Sequence, residues 1–186
     1  MINGIDYLKR MYPDRDEKDY QPSGLDLRLG QVYHIAYEKN GHHYGIDRMG
    51  KSIPPHVKAR ETELEYFKDS EKIKVIGWEL QPQKPYICEV QEQIKIGEKN
   101  AQFYLPRSTL LRAGVNVYTA LGDLGYNGHL SFLVINHGSQ EFFIEKGERF
   151  AQLVDFQVRG GSESYNGDYQ EKEVIADDWA WSRIQF

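Results

Sequence analysis

The chain has 186 residues, with 40% hydrophobic, 13% aromatic and 27% charged residues and a formal net charge of −5. That composition fits one ordinary globular domain, large enough to bury most of its apolar surface on folding. The acidic balance excludes nothing small, but it gives no reason to expect a nucleic-acid scaffold or a membrane surface as partner. Cys88 is the only cysteine, so no intrachain disulfide can form. Set in Tyr86-Ile87-Cys88-Glu89-Val90, it reads as a buried structural thiol, and a cytoplasmic setting is expected. The opening Met1-Ile2-Asn3-Gly4-Ile5-Asp6 lacks the basic segment and apolar core of a signal peptide, and no run approaches the length of a membrane span.

In chain order, residues 4–11 predict a short amphipathic helix, with Ile5, Leu8 and Met11 at helical spacing. Pro13 and the charged cluster at 14–19 end it. From Leu25 the pattern becomes strand: Leu25, Leu27 and Leu29 alternate with Asp26 and Arg28 at period two. Residues 40–68 are polar, with His42, His43, Pro54 and Pro55, and predict a surface insertion or long hairpin. Adjacent histidines diverge and no cysteine or acid accompanies them at ligand spacing, so no metal site is expected there. The glutamates at 61–65 read as a solvated face.

Further strands are expected at 72–80 and 85–96, and then in quick succession at 102–105, 115–120, 129–136, 141–144 and 151–158. Short strands at this spacing with Gly-rich turns favour an all-β barrel or sandwich over alternating strand and helix units. Residues 108–113 fit one helical turn. Gly160-Gly161-Ser162 reads as a hinge, which divides the chain into a single domain at 1–160 and a mobile tail at 161–186.

Four polar clusters stand among the strands. Asp123, between Gly122 and Leu124 and before Gly125-Tyr126-Asn127-Gly128, is either a carboxylate at a barrel rim able to orient a water or a turn aspartate bonding its own backbone. Arg107 and Ser108 follow Pro106 at a helix start, where a guanidinium, a hydroxyl and free amides can cradle phosphate. The alternative is an N-cap serine beside an exposed arginine. Arg112, one turn on, adds a second cation or pairs with a surface acid. Gln152, in Phe150-Ala151-Gln152-Leu153, needs a partner for its amide. Asp26, between two leucines, needs a cation, a metal or donors.

Taken in order, Ser23-Gly24-Leu25-Asp26-Leu27-Arg28, Pro106-Arg107-Ser108, Asp123 with Gly125-Tyr126-Asn127-Gly128, and Gly147-Glu148-Arg149-Phe150-Ala151-Gln152-Leu153 resemble four motifs of the dUTPase and dCTP deaminase superfamily. Gln21-Pro22-Ser23 and the tail Tyr165-Asn166-Gly167-Asp168-Tyr169-Gln170 are similar to its deaminase branch, whereas residues 31–80 carry none of the resemblance.

The resemblance implies a distorted β-barrel of jelly-roll character, a homotrimer with sites between subunits, and a pyrimidine deoxynucleoside triphosphate with Mg²⁺ as substrate. It implies Asp123 as the acid that activates water, and Arg107, Ser108 and Gln152 as phosphate ligands. It also implies Tyr126 against the deoxyribose, Asp26 in contact with the metal through water, and a tail carrying Tyr165 and Tyr169 that closes over nucleotide. Deaminases of this family carry a glutamate ten residues after the motif aspartate. Here that position is Leu133, which cannot transfer protons. The expected reaction is therefore hydrolysis of dUTP to dUMP and pyrophosphate. Deamination of dCTP through another acid, such as His129 or Glu141, and a nucleotide-binding homologue without catalysis are the alternatives. The span from Ser108 to Asp123 looks short for the family, and Asp168 stands where a basic residue is usual.

Overall fold

The computed structural model describes residues 2–35, 38–39, 42–43, 56–160, 163–167 and 170–171. Helix α1 (Ile5–Met11) and a 3-10 turn (Glu17–Asp19) lead into β1 (Tyr20–Gln21), β2 (Gly24–Ile35), β3 (Glu38–Lys39) and β4 (His42–His43). They are followed by β5 (His56–Lys58), β6 (Thr62–Lys68), β7 (Glu71–Leu80), β8 (Pro85–Lys95) and β9 (Asn100–Pro106). A single helical turn, α2 (Ser108–Arg112), precedes β10 (Val115–Tyr118), β11 (Asn127–Asn136), β12 (Phe142–Glu145) and β13 (Arg149–Gln157).

The main sheet runs β10-β11-β8-β2-β13-β9, with every neighbour antiparallel and β1 and β5 attached to β2. Its two ends meet. Thr119, just past β10, donates its hydroxyl to the Tyr104 carbonyl of β9 (2.5 Å). Gly122 and Gln102 exchange two backbone hydrogen bonds of 2.8 and 3.0 Å. The sheet thus closes almost fully on itself, which removes the exposed edges an open sheet would present. This is the all-β distorted barrel with a short N-terminal helix that the sequence predicts. β12, β7 and β6 form a second, three-stranded sheet.

Period-two alternation decides what the barrel buries. Leu25, Leu27 and Leu29 are fully buried, alongside Cys88, Val90, Ile94, Val134 and Leu153. Burial pushes the Cys88 thiol pKa up, so the lone cysteine is the inert core residue expected. On β9 and β13 the same alternation splits the faces. Gln102, Tyr104 and Asp155 point inward and are buried, whereas Phe103 and Leu105 remain 52% and 50% exposed. Phe103 and Phe156 stack 4.8 Å apart on that outer face.

Two local expectations are refined. Residues 62–80 form one hairpin, β6 with β7, turned at Asp69 and Ser70 with positive φ of 49° and 70°. Glu63 and Glu65 pair with Lys74 and Lys72 on its exposed surface, as a solvated face should. Residues 40–41 and 44–55 and the side chains of His42 and His43 lie outside the described residues. Strand β10 ends at Tyr118 rather than at residue 120, because the chain leaves β11 there and crosses to β9.

That crossing requires glycine. A Cβ on Gly122 would lie 2.5 Å from the Tyr104 hydroxyl and 2.6 Å from Ile96 Cδ1. Gly122→Ala is expected to lower stability by about 1–3 kcal/mol through overpacking, measured by denaturant midpoint. An unchanged midpoint would show that the closure is not tight.

Candidate active site

Asp26 is buried by its own position between two core leucines, yet its side chain lies on the outer face of β2 and is only 1% exposed. Its Oδ2 accepts from Nη1 of Arg107 and from Nη1 of Arg149 at 3.2 Å. Among the described residues, the buried Oδ1 has no hydrogen-bond partner. The two arginines come from opposite directions: Arg107 follows β9, and Arg149 opens β13. A register break between Arg149 and Ala151 re-aims Arg149 toward β2. Burial, and after it the neighbouring charge of Arg149, lowers the Arg107 pKa from its usual value. Glu148, half-buried beside them, has its pKa raised by burial. A carboxylate thus holds two guanidiniums side by side, each still partly open to solvent, which suits a polyanion.

The segment before β1 backs this cluster. Asp19, fully buried, accepts two hydrogen bonds from Arg28 and one from Arg15. Arg15 also pairs with Glu92 and donates to the Asp26 carbonyl at 3.2 Å. The charged residues that end α1 are therefore a fixed layer over β2, which their spacing did not reveal.

Gln152 sits in register with Asp26 on one side and Leu105 on the other. It is half-buried and its side chain makes no hydrogen bond among the described residues, so its amide is available to a ligand. Ser108 is exposed, and Arg107, not Ser108, is the N-cap of α2. The serine hydroxyl is the first helical residue's and caps nothing. Arg112 ends the same turn, exposed.

Asp123 is exposed at the start of the turn leading to β11, and Tyr126 is 7% exposed there. Gly125 takes a φ of +76°, and a Cβ on it would meet Ser164 Cβ at 2.9 Å, so the tail lies directly against it. Tyr165 donates its N–H to the Leu124 carbonyl (2.6 Å) and sets its ring edge-on to Tyr126 at 5.5 Å. The Gln170 carboxamide donates to the Gly125 carbonyl (3.0 Å) and accepts from the Asn127 N–H (3.2 Å). Described residues of the expected tail thus pack on their own chain's Gly-Tyr-Asn-Gly turn. Asp168 and Tyr169 lie outside the described residues.

The structure assembles two half-sites and does not join them. Asp26, Gln152 and Leu105 form one row across three strands, while Asp123 follows Gly122, which pairs with Gln102 on the far flank of β9. Asp26 and Gly122 are therefore three strand spacings apart, ~14 Å, and offset by three residues, ~10 Å. A general base and the ligands of the phosphate that its activated water attacks must surround the same atoms within a few Å. Arg149 is the residue sequence reasoning left out of the site. Its signal was the charged pair Glu148-Arg149 beside Gly147 at a strand start.

A family model described as dCTP deaminase-like matches residues 7–158. The chain is 40% identical over 171 residues to a protein of Methanothermobacter thermautotrophicus, with 92% of this chain and 100% of the relative covered; that protein is named "Probable deoxyuridine 5′-triphosphate nucleotidohydrolase". It is 31% identical over 170 residues to a deoxyuridine 5′-triphosphate nucleotidohydrolase of Methanocaldococcus jannaschii, covering 91% of this chain and 99% of the relative. Among solved structures, a 2′-deoxycytidine 5′-triphosphate deaminase from Agrobacterium tumefaciens shares the fold with a TM-score of 0.56 at 17% identity. That match covers 83% of this chain and 47% of the other.

Removing the Asp26 charge leaves Arg107 and Arg149 adjacent and uncompensated. Asp26→Asn is expected to cost about 1–3 kcal/mol, measured by chemical denaturation. Wild-type stability in that variant would show that the carboxylate does not hold the arginine pair.

Proposed function

The chain belongs to the dCTP deaminase-like family, and we propose that within it this protein hydrolyses dUTP to dUMP and pyrophosphate. The relatives at 40% and 31% identity bear names for that reaction. Leu133 carries the choice of hydrolysis over deamination. It lies mid-strand on β11, between Tyr118 and Ile87 in register. Its neighbours are apolar or aromatic, and an aliphatic side chain there relays no proton. The nearest acid on that face of the sheet, Glu89, accepts the Tyr33 hydroxyl at 2.9 Å.

In this reading Asp123, exposed at the rim, orients a water and takes its proton as oxygen bonds to the α-phosphorus. The bond from that phosphorus to the bridging oxygen breaks, and pyrophosphate leaves. Arg107, Arg149, Ser108 and Gln152 hold the phosphates, and their charge and hydrogen bonds strengthen as negative charge develops. Tyr126 and Tyr165 provide an aromatic wall for the nucleoside. Arg112, on the outer side of α2, is a reserve cation at the edge of the phosphate path.

Asp26 is too enclosed to ligate a metal directly, but its unpartnered, buried Oδ1 is an acceptor suited to one water of a hydrated Mg²⁺. Bound with the triphosphate, Mg²⁺ would neutralise part of its charge and hold it in one conformation. The split between the half-sites supports a homotrimer in which one copy supplies Asp123 and another the arginines. The exposed Phe103 and Leu105 lie beside Gln152 and give such a contact its apolar area. The lone reduced thiol supports a cytoplasmic setting.

With Mg²⁺, purified protein is expected to convert dUTP to dUMP and pyrophosphate and to leave dCTP intact, with products resolved chromatographically. Uridine nucleotide formed from dCTP would overturn the argument from Leu133. Asp123→Asn is expected to fold and bind dUTP but to lose about 10²–10⁴ in kcat. Turnover near wild type would remove Asp123 from the reaction.

A further inference from the structure

Away from the arginine cluster, the barrel interior holds a second carboxylate. Asp155 on β13 is 1% exposed and makes no ion pair among the described residues. Enclosing a charge without a cation is costly unless donors surround it. Three amides do so: Nδ2 of Asn3 at 2.6 Å and Nδ2 of Asn100 at 2.5 Å meet Oδ1, and Nε2 of Gln102 meets Oδ2 at 2.9 Å.

The consequence is directional. With its oxygens accepting from all three amides, Asp155 fixes Gln102 with its NH₂ toward the carboxylate and its oxygen away. That oxygen, Oε1, then accepts the Tyr104 hydroxyl at 2.8 Å. Burial, followed by the charges of other groups including Asp155 and Asp123, raises the Tyr104 pKa, so the phenol stays a donor. The Tyr104 hydroxyl lies 2.5 Å from where a Cβ of Gly122 would be, and Gln102 is bound to Gly122 through both backbone groups. The next residue is Asp123. A chain of imposed hydrogen-bond directions therefore runs from Asp155 through Gln102 and Tyr104 to the backbone that carries Asp123.

We propose that Asp155 is a positioning residue for Asp123, acting through Gln102 and Tyr104 to fix the Gly122-Asp123 backbone at the barrel seam. The proposal rests on the reading of Asp123 as the acid that activates water. An asparagine at 155 would present its own NH₂ among amide donors and leave the Gln102 amide held only by its longer bond to the Tyr12 hydroxyl (3.3 Å), which weakens the orientation that the Tyr104 hydroxyl depends on. Asn3 ties the same carboxylate to the N-terminus, whose backbone N–H also donates to the Asp155 carbonyl at 2.8 Å.

The test compares Tyr104→Phe, which removes the hydroxyl and keeps the ring, with Asp155→Asn. Each is assayed for dUTP hydrolysis well below its thermal midpoint, alone and combined with Asp123→Asn. Displacement of the acid by a fraction of an ångström is expected to lower kcat about tenfold or more with KM little changed. In the Asp123→Asn background neither substitution should lower the residual rate further, because both act through that side chain. If Asp155→Asn does not fold, Tyr104→Phe still decides. Wild-type kcat with only a lower melting midpoint would overturn the proposal, as would the same fractional loss with and without Asp123. Wild-type turnover in Asp123→Asn alone would instead overturn the parent reading of that residue.

Discussion

Strand β9 is hydrogen-bonded on both flanks, and that ladder fixes how far the candidate acid lies from the arginine pair. On one side it pairs with β13 from Asn100 to Pro106, which brings Gln152 and, through β2, Asp26 into one row. On the other side Gln102 holds Gly122 and hence the backbone of Asp123. Neither side can slide, because a one-residue slip would turn Tyr104 and Gln102 outward and Phe103 and Leu105 into the core. The separation of acid and arginines is thus a property of the closed barrel. In the proposed reading, a site containing both draws on two copies of the chain, and catalysis would depend on assembly.

The charges are arranged in keeping with that dependence. Two arginines share one carboxylate oxygen on Asp26, a pairing that orders them but does not use up their donors. Beneath them, Arg15, Arg28, Asp19 and Glu92 form a partly buried ion network whose members each meet more than one partner. Breaking one partner of such a network costs more than the network adds over an apolar replacement. Its effect is to hold the guanidiniums in place. The protein's net charge of −5 makes this local concentration of arginine more pronounced, since it is set in an acidic surface.

Much of the barrel was legible because its signals are local. The alternation Leu25-Asp26-Leu27-Arg28-Leu29 announced β2, and the Gly-rich turns placed β11 and β13 to within two residues. Asp26, between two leucines, needs a cation, a metal or donors, and of these it has two cations, Arg107 and Arg149. What stayed hidden depends on distant pairing. Arg107 and Arg149 reach Asp26 across 81 and 123 residues, and a register break decides where Arg149 points. Asp155 stands between Val154 and Phe156 with nothing in its neighbourhood to mark it, because its donors come from Asn3, Asn100 and Gln102. Ser108 caps nothing because the helix begins at Ser108 itself, one residue earlier than a serine cap requires.

The central claim is that one copy's Asp123 works on phosphates held by another copy's arginines. It is tested most directly by complementation. Asp123→Asn and Arg107→Ala are each expected to be nearly inactive when purified alone. Co-expressed, or unfolded and refolded together so that chains exchange, they should regain dUTP hydrolysis, since mixed oligomers contain sites with both native residues. A mixture that remains as inactive as its components, while mass measurement confirms mixed oligomers, would contradict the shared site.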